Sequence, residues 1–459
     1  MKSIKSMLMG GAILLGLAMC LTSCEGTLDD IFGEWSRPTH GTSDGTKPDS
    51  QGNVTSISIA PTTLELAVGE TGQLTATVDP SGTAVTWSSD KEEVATIDAN
   101  GLVTAVAAGI ATITAKAGDK TATCEVTVTA NPAAVPLTLE AITAGTITVN
   151  STFMKFSLNG GAKTDITVTP TEIAVAAGDK VEFYGTATFY KLTPIGGSGD
   201  GFKCKVYGNI MSLLYEDFAD KTELPNTYTF NGLFYNNTKL IDASGLLLPA
   251  VTLKNYCYDS MFYGCSSLTT APELPATTLA TSCYSQMFYG CSSLTTAPEL
   301  PATTLATSCY SQMFCGCSSL TAAPELPATT LAEGCYGGMF WGCTALTTAP
   351  ELPATTLATS CYLAMFGYCT QLTTAPELKA TTLVNDCYRN MFYYCSNLNS
   401  VTCLATDISA ENCTASWLEG VAASGTFTTP STTVWSTGTN KIPSGWTRKN
   451  PDGTDYVAP

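Results

Sequence analysis

Cysteines at 257, 283, 309, 335, 361, 387 and 413 recur every 26 residues, and a second series at 265, 291, 317, 343, 369 and 395 keeps the same period. A fixed period of this length marks a solenoid, in which each repeat is one supersecondary unit that can bury its apolar face only against its neighbours. The unit reads Cys-Tyr-x-x-Met-Phe-x-Gly-Cys-Ser-Ser-Leu-Thr-Thr-Ala-Pro-Glu-Leu-Pro-Ala-Thr-Thr-Leu-Ala-Thr-Ser. A degenerate copy, Leu233-Phe234-Tyr235-Asn236-Asn237-Thr238-Lys239-Leu240, opens the array two residues out of step. At the far end Trp417-Leu418 replaces Met-Phe and Val421 replaces the second cysteine, as atypical terminal repeats do.

Cys257, Met261 and Cys265 stand at i, i+4 and i+8 with Phe262 beside them, which predicts the inward face of a short helix. Pro272 and Pro275 cannot donate to a ladder, so the strand of each coil is confined to 268–271 and its equivalents, and the sheet is narrow. These features predict an α/β solenoid over 230–413. About seven coils stacked at ~4.8 Å would make a slab roughly 35 Å long. Export favours disulfides, but cysteine packs well at stacked interior positions, so buried thiols are expected. With no histidine in the array, no zinc site is implied. The run Met287-Phe288-Tyr289-Gly290-Cys291-Ser292-Ser293-Leu294 and its copies resemble the leucine-rich repeats of BspA-like surface proteins. That resemblance implies adhesion to host, matrix or bacterial surface proteins.

Stacking aligns identical residues into rows. Glu273, Glu299, Glu325, Glu351 and Glu377 form an acidic row with Lys379 and Arg389 almost the only cations nearby, either a solvated edge or a surface needing a cationic partner. Thr269, Thr295, Thr321, Thr347 and Thr373 form a second row beside it. Tyr258 and its copies recur without exception and are expected to pack on one another. The next aromatic position varies as Tyr263, Tyr289, Cys315, Trp341, Gly367 and Tyr393. Variation there implies exposure, and an exposed Tyr/Trp row suits contact with protein or carbohydrate. The Thr, Glu and variable aromatic rows are therefore the candidate ligand-binding residues.

Ahead of the array the chain divides into an address, a tether and two β-rich units. Lys2 and Lys5 precede an apolar run from Met7 to Leu21 that is too short for a stable membrane anchor, which predicts an export signal over 1–23. Leu21-Thr22-Ser23-Cys24 resembles the lipobox of bacterial lipoproteins, which implies acylation of Cys24 and anchoring in the outer membrane, exposed at the cell surface. Residues 24–52 read as the acylated start and a flexible tether rich in Ser, Gly, Thr and Pro. Over 53–130, Ser56-Ile57-Ser58-Ile59 and Thr63-Leu64-Glu65-Leu66 alternate polar with apolar, predicting an antiparallel sandwich. Trp87-Ser88-Ser89 and Val94-Ala95-Thr96-Ile97-Asp98-Ala99-Asn100-Gly101-Leu102-Val103 resemble a bacterial Ig-like domain of group 2, which implies a spacer or an adhesive module. Cys124 shares strand parity with Ala122, Val126 and Val128 and reads as a buried thiol. Residues 131–229 read as a β-rich N-terminal cap on the array, and 414–459 as a C-terminal cap with Trp435 and Trp446 buried.

A formal net charge of −18, from 39 acidic and 21 basic residues, opposes nucleic acid and anionic membrane surfaces as partners. The chain has one histidine and shows no phosphate loop, Ser-His-Asp arrangement or metal motif, so neither catalysis, a cofactor nor a metal is expected. What remains is a non-catalytic lipoprotein that touches the membrane only through its anchor and binds an extracellular protein or glycan through its repeats. A structural stalk or decoy antigen without a dedicated ligand, and a glycan-binding surface protein, are the alternatives.

Overall fold

A computed structural model describes residues 53–186, 194–437 and 441–457. The signal segment, Cys24 and the tether lie outside them. The first unit is built from three sheets: Ser56–Ala60 with Thr75–Asp79; Thr63–Ala67, Lys120–Thr129, Gly109–Ala117 and Thr86–Ser89; and Thr71–Gln73, Leu102–Ala105 and Ala95–Ile97. Alternation decides what is buried. Along the strand ending the unit, Cys124, Val126 and Val128 face a core shared with Leu74, Val103 and Ile113, while Glu125 faces solvent.

The second unit packs a three-stranded sheet, centred on Gly145–Val149, against a six-stranded one that runs Thr164–Asp165, Met154–Leu158, Lys180–Gly185, Leu137–Ala141, Cys204–Asn209 and Leu240–Leu247. Its last two strands pair in parallel, Tyr207 opposite Gly245. Leu240–Leu247 already belongs to the first coil of the array, so the sheet passes into the repeats and one continuous core runs from Leu137 to Trp446. The out-of-step first copy is accommodated here: Phe234 stacks on Phe262, 28 residues on, at 5.3 Å.

The array itself is not an α/β solenoid. Among the described residues there is no α-helix, only the short 3-10 turns Pro132–Ala134, Ile210–Leu213 and Phe218–Asp220, and the fold is all-β. Cys257, Met261 and Cys265 do face inward with no exposed surface, but their segment is a train of overlapping turns. The N–H groups of Cys257, Asp259, Met261, Tyr263 and Cys265 each donate to the carbonyl three residues back. Those of Tyr258, Ser260, Phe262 and Gly264 donate across to Cys283, Ser285, Met287 and Tyr289 of the next coil, at 2.7–3.0 Å. Every second turn carries a left-handed residue, with φ of 58° at Tyr256, 56° at Ser260 and 70° at Gly264, the conformation a type II turn demands at its third position.

That geometry explains why the spacing looked helical. The turn pair repeats every four residues, so inward side chains recur at i, i+4 and i+8, a spacing that a 3.6-residue helix also approximates over two turns. The left-handed positions separate the two structures. In one coil they are Gly334, Gly338 and Gly342, at 59°, 61° and 76°, with Gly337 among them. A helix holding those glycines would be about 1 kcal/mol weaker per glycine than one holding alanine, whereas left-handed turn positions favour glycine.

The strand expected at 268–271 shrinks to single parallel bridges, Asp242 to Thr270, Ala322 to Thr348 and Thr374 to Ser400. Beyond the strand Leu240–Leu247 of the first coil, a sheet forms again at the far end, from Ser400–Thr402, Gly425–Thr428 and Trp446–Lys449, all parallel. The described residues after 413 thus continue the coiling, and Trp417 stacks on Tyr388 at 6.3 Å and on Trp435 at 5.4 Å.

Inside the array the side chains stand in columns. Tyr258 to Tyr388 stack with ring centroids 5.7–6.0 Å apart, and Phe262 to Phe392 at 5.5–5.7 Å. All seventeen described cysteines are free and buried. The second series is tied to the backbone, as when Cys291 Sγ donates to Phe262 O at 3.1 Å and Cys395 Sγ to Phe366 O at 2.9 Å.

Candidate functional site

Inward positions are nearly invariant from coil to coil, so anything that distinguishes one part of the array from another lies on its outward side chains. The column containing Ser260 continues as Gln286, Gln312, Gly338, Ala364 and Asn390. Its first members form an amide ladder, with Ser260 Oγ on Gln286 Oε1 at 3.4 Å and Gln286 Nε2 donating to Gln312 Oε1 at 2.6 Å. The ladder stops at Gln312, because Gly338 has no side chain and Ala364 only a methyl. In the aromatic column the ring is missing at Cys315 and Gly367.

Where the two interruptions coincide the surface opens into a cleft of about 790 Å³, lined among others by Tyr289, Gln312, Cys315, Gly338, Trp341 and Arg389. On its N-terminal side Tyr289 is held by Tyr263, ring on ring at 4.6 Å, and Tyr263 by Tyr235 at 4.7 Å. On the other side Trp341 lies across Gly367, where a Cβ would come within 2.2 Å of the indole. It stacks on Tyr393 at 6.1 Å with 12° between planes and meets Tyr368 edge-on at 5.0 Å. Burial pushes the Cys315 thiol up, and a hydrogen bond with Tyr289 partly offsets this. The same neighbour pushes the Tyr289 phenol up. Glu333 contributes an exposed carboxylate, and Arg389 is held 3.3 Å from Asp386.

The backbone beneath Gln312, Gly338 and Gly342 is engaged between coils. Gln312 N–H donates to Gly337 O, Gly338 N–H to Leu363 O and Gly342 N–H to Gly367 O, each at 2.7 Å. The cleft therefore offers a visitor side-chain groups and aromatic faces, not a free β-edge.

Of the sequence candidates, Tyr289 and Trp341 share this cleft, with Tyr263 and Tyr393 supporting them from either side. The variable position is less exposed than its variability implies: Tyr263, Tyr289, Trp341 and Tyr393 are half-buried, and Cys315 and Gly367 are buried. Glu273, Glu299, Glu325, Glu351 and Glu377 are exposed, as are Thr269, Thr295, Thr321, Thr347 and Thr373. The first four glutamates border shallow grooves with the neighbouring prolines, which share no residue with the cleft. Lys379, standing where other coils have proline, reaches Glu351 at 3.3 Å. The threonines are partly spent on structure: Thr269 Oγ1 donates to Ile241 O at 2.8 Å and Thr347 Oγ1 to Thr321 O at 3.3 Å. Among the described residues no group of three His, Cys, Asp or Glu side chains is arranged to hold a metal ion, and no helix is long and apolar enough to cross a membrane.

Sequence reasoning missed Gln312, Glu333, Gly337 and Gly338, and it set Arg389 beside the glutamate row, whereas Arg389 lines the cleft and pairs with Asp386. The signal was available in the columns of Asp259 and Ser260, which vary as much as the aromatic one.

The N-terminal sandwich, with its two faces and its own core, can be compared directly with known domains. Residues 53–128 match the bacterial Ig-like domain (group 2) family. Lacto-N-biosidase of Bifidobacterium bifidum is 45% identical over 86 residues, which is 18% of this chain and 8% of that protein. The chain therefore spans under a tenth of that relative's length. Within the Ig-like domain Cys124 is sealed in the core at 0% exposure, and burial, reinforced by Glu125, pushes its thiol up.

Proposed function

We propose that the protein is a non-catalytic lipoprotein of the bacterial outer surface, held through Cys24, that binds an extracellular partner through its repeat array while the Ig-like domain spaces that array from the membrane. The likeness of the repeats to BspA-like surface proteins supports adhesion, and the lipobox-like Leu21-Thr22-Ser23-Cys24 supports the address. The observation that carries the reading is the division of labour within one coil. Residues Cys335, Tyr336, Met339, Phe340 and Cys343 keep the inward pattern unchanged, whereas Glu333, Gly334, Gly337, Gly338 and Trp341 depart from Thr, Ser, Ser, Gln and Tyr at residues 281, 282, 285, 286 and 289. Those departures line the cleft together with Cys315 and Ala364 of the coils on either side. A stalk has no use for a recess on one coil; a binding surface does.

The test is binding of the chain from residue 25 onward to immobilised matrix proteins and mucin, across a salt series. Saturable binding is expected. Absence of binding on every surface would leave the stalk as the account of the molecule.

A further inference from the structure

We infer that the cleft between Tyr289 and Trp341 is a carbohydrate subsite that holds an uncharged pyranose ring; this rests on the binding role proposed above and specifies its ligand. Four observations converge. First, aromatic faces suit the apolar C–H face of a sugar ring, and here Tyr289 and Trp341 are each pre-stacked on a second ring, Tyr263 and Tyr393, so little side-chain freedom is lost on binding. Second, the amide ladder ends in an open donor. Among the described residues Gln312 Nε2 has no acceptor, and the position that would supply one is Gly338. Third, the rim pairs that donor with an acceptor, the exposed carboxylate of Glu333, matching hydroxyl groups that both donate and accept. Fourth, the backbone below is consumed by inter-coil hydrogen bonds, which removes the strand-addition contacts by which an extended peptide is usually held.

Charge narrows the class. Arg389 is already matched by Asp386, Glu333 adds a negative charge, and the whole chain carries −18. A sialylated or sulfated sugar would meet repulsion; a neutral hexose or N-acetylhexosamine would not.

The array supplies its own control. Gln286 and Gln312 occupy the Gly338 position in earlier coils at φ of 55° and 54°, close to the 61° of Gly338, so Gly338→Gln extends the ladder into the cleft without asking the backbone for a new conformation. The experiment titrates lactose, N,N′-diacetylchitobiose, maltotriose and 3′-sialyllactose into the chain from residue 25 onward, by saturation-transfer NMR and calorimetry, with immobilised fibronectin and mucin in parallel. At least one neutral sugar is expected to saturate, and 3′-sialyllactose to bind more weakly than lactose. Trp341→Ala and Gly338→Gln should each weaken the binding about tenfold or more, roughly 1.4 kcal/mol, with Gly338→Gln still folding and its midpoint lowered only slightly by the left-handed side chain and its close approach to Gln312. Sugar binding that survives both substitutions overturns the inference, as does the absence of sugar binding while fibronectin is captured, a result that leaves the binding role standing. Absence of binding to sugar, fibronectin and mucin alike removes both.

Discussion

The inward columns place chemically awkward groups in a dry interior, and each has a measurable consequence. The hydroxyls of Tyr258, Tyr284 and Tyr310 are buried without a hydrogen-bond partner. An unsatisfied buried hydroxyl costs about 1–3 kcal/mol, so Tyr284→Phe, which keeps the stacked ring and removes only the oxygen, is expected to raise stability by about 1 kcal/mol in urea unfolding. A lower midpoint would show that the hydroxyl is satisfied after all. The thiols behave collectively. Desolvation raises Cys335 to about 11 and Cys283 and Cys403 to about 12, and raises the other array thiols too, whereas an unfolded thiol ionises near ~8.5. A folded-state pKa above the unfolded one means that stability is complete below ~8.5 and is lost as pH rises toward 11–12. Each such thiol withdraws about 1.4 kcal/mol per pH unit within that window. Urea midpoints measured from pH 7 to 10 should therefore fall steeply above ~8.5; a flat profile would mean that the cysteines are oxidised. Thiol titration under non-reducing conditions checks this independently, with almost no reaction expected in the native chain and seventeen equivalents released from the array and flanking units on denaturation.

At the scale of the element, the turn ladder and the helix make opposite forecasts for glycine. Ser308 sits at φ 51°, where a residue with a Cβ is strained and glycine is not. Ser308→Gly is accordingly expected to leave stability unchanged or raise it by a few tenths to 1 kcal/mol. In a helix the same change would lower it by about 0.5 kcal/mol. Gly316→Val, at φ 74°, should destabilise by about 1–2 kcal/mol or more through the left-handed penalty on a side chain. Thermal midpoints of the two variants decide between the geometries. The inward set of Cys257, Met261, Phe262 and Cys265 was legible from spacing alone, because any regular element that shows one face to a core repeats that face. The element itself was not, because a period of four and a period of 3.6 diverge too slowly over nine residues. The glycines at 334 and 338 held the distinguishing information, and they were overlooked because the other coils fill those places with Ser, Gln, Ala, Asn, Asp and Tyr.

Across the whole molecule, the solenoid period, the Ig-like unit and the sealed Cys124 could all be read from sequence, since each is written in repeated or alternating side chains. The cleft could not, because it is made by side chains that are missing from two adjacent columns, and a gap becomes visible only once the columns are laid side by side. Stacking also sets how far damage spreads. Each coil is held by backbone bonds to its neighbours alone, so stability is approximately a sum over nearest-neighbour contacts, and outward residues can change without disturbing the columns within. The fold is thus encoded inside the array and the proposed binding surface outside it.

That separation is open to one direct measurement. Replacing residues 333–342 with the sequence of 281–290 leaves every inward side chain in place, restores the amide rung missing at Gly338 and returns Trp341 to tyrosine. The exchanged chain is expected to stay folded, its midpoint lowered only by the left-handed penalty on side chains at 334 and 338, while losing saturable binding to the partner that the original captures, mucin being the first surface to try. Equal binding by the two folded chains would contradict the assignment of function to this coil.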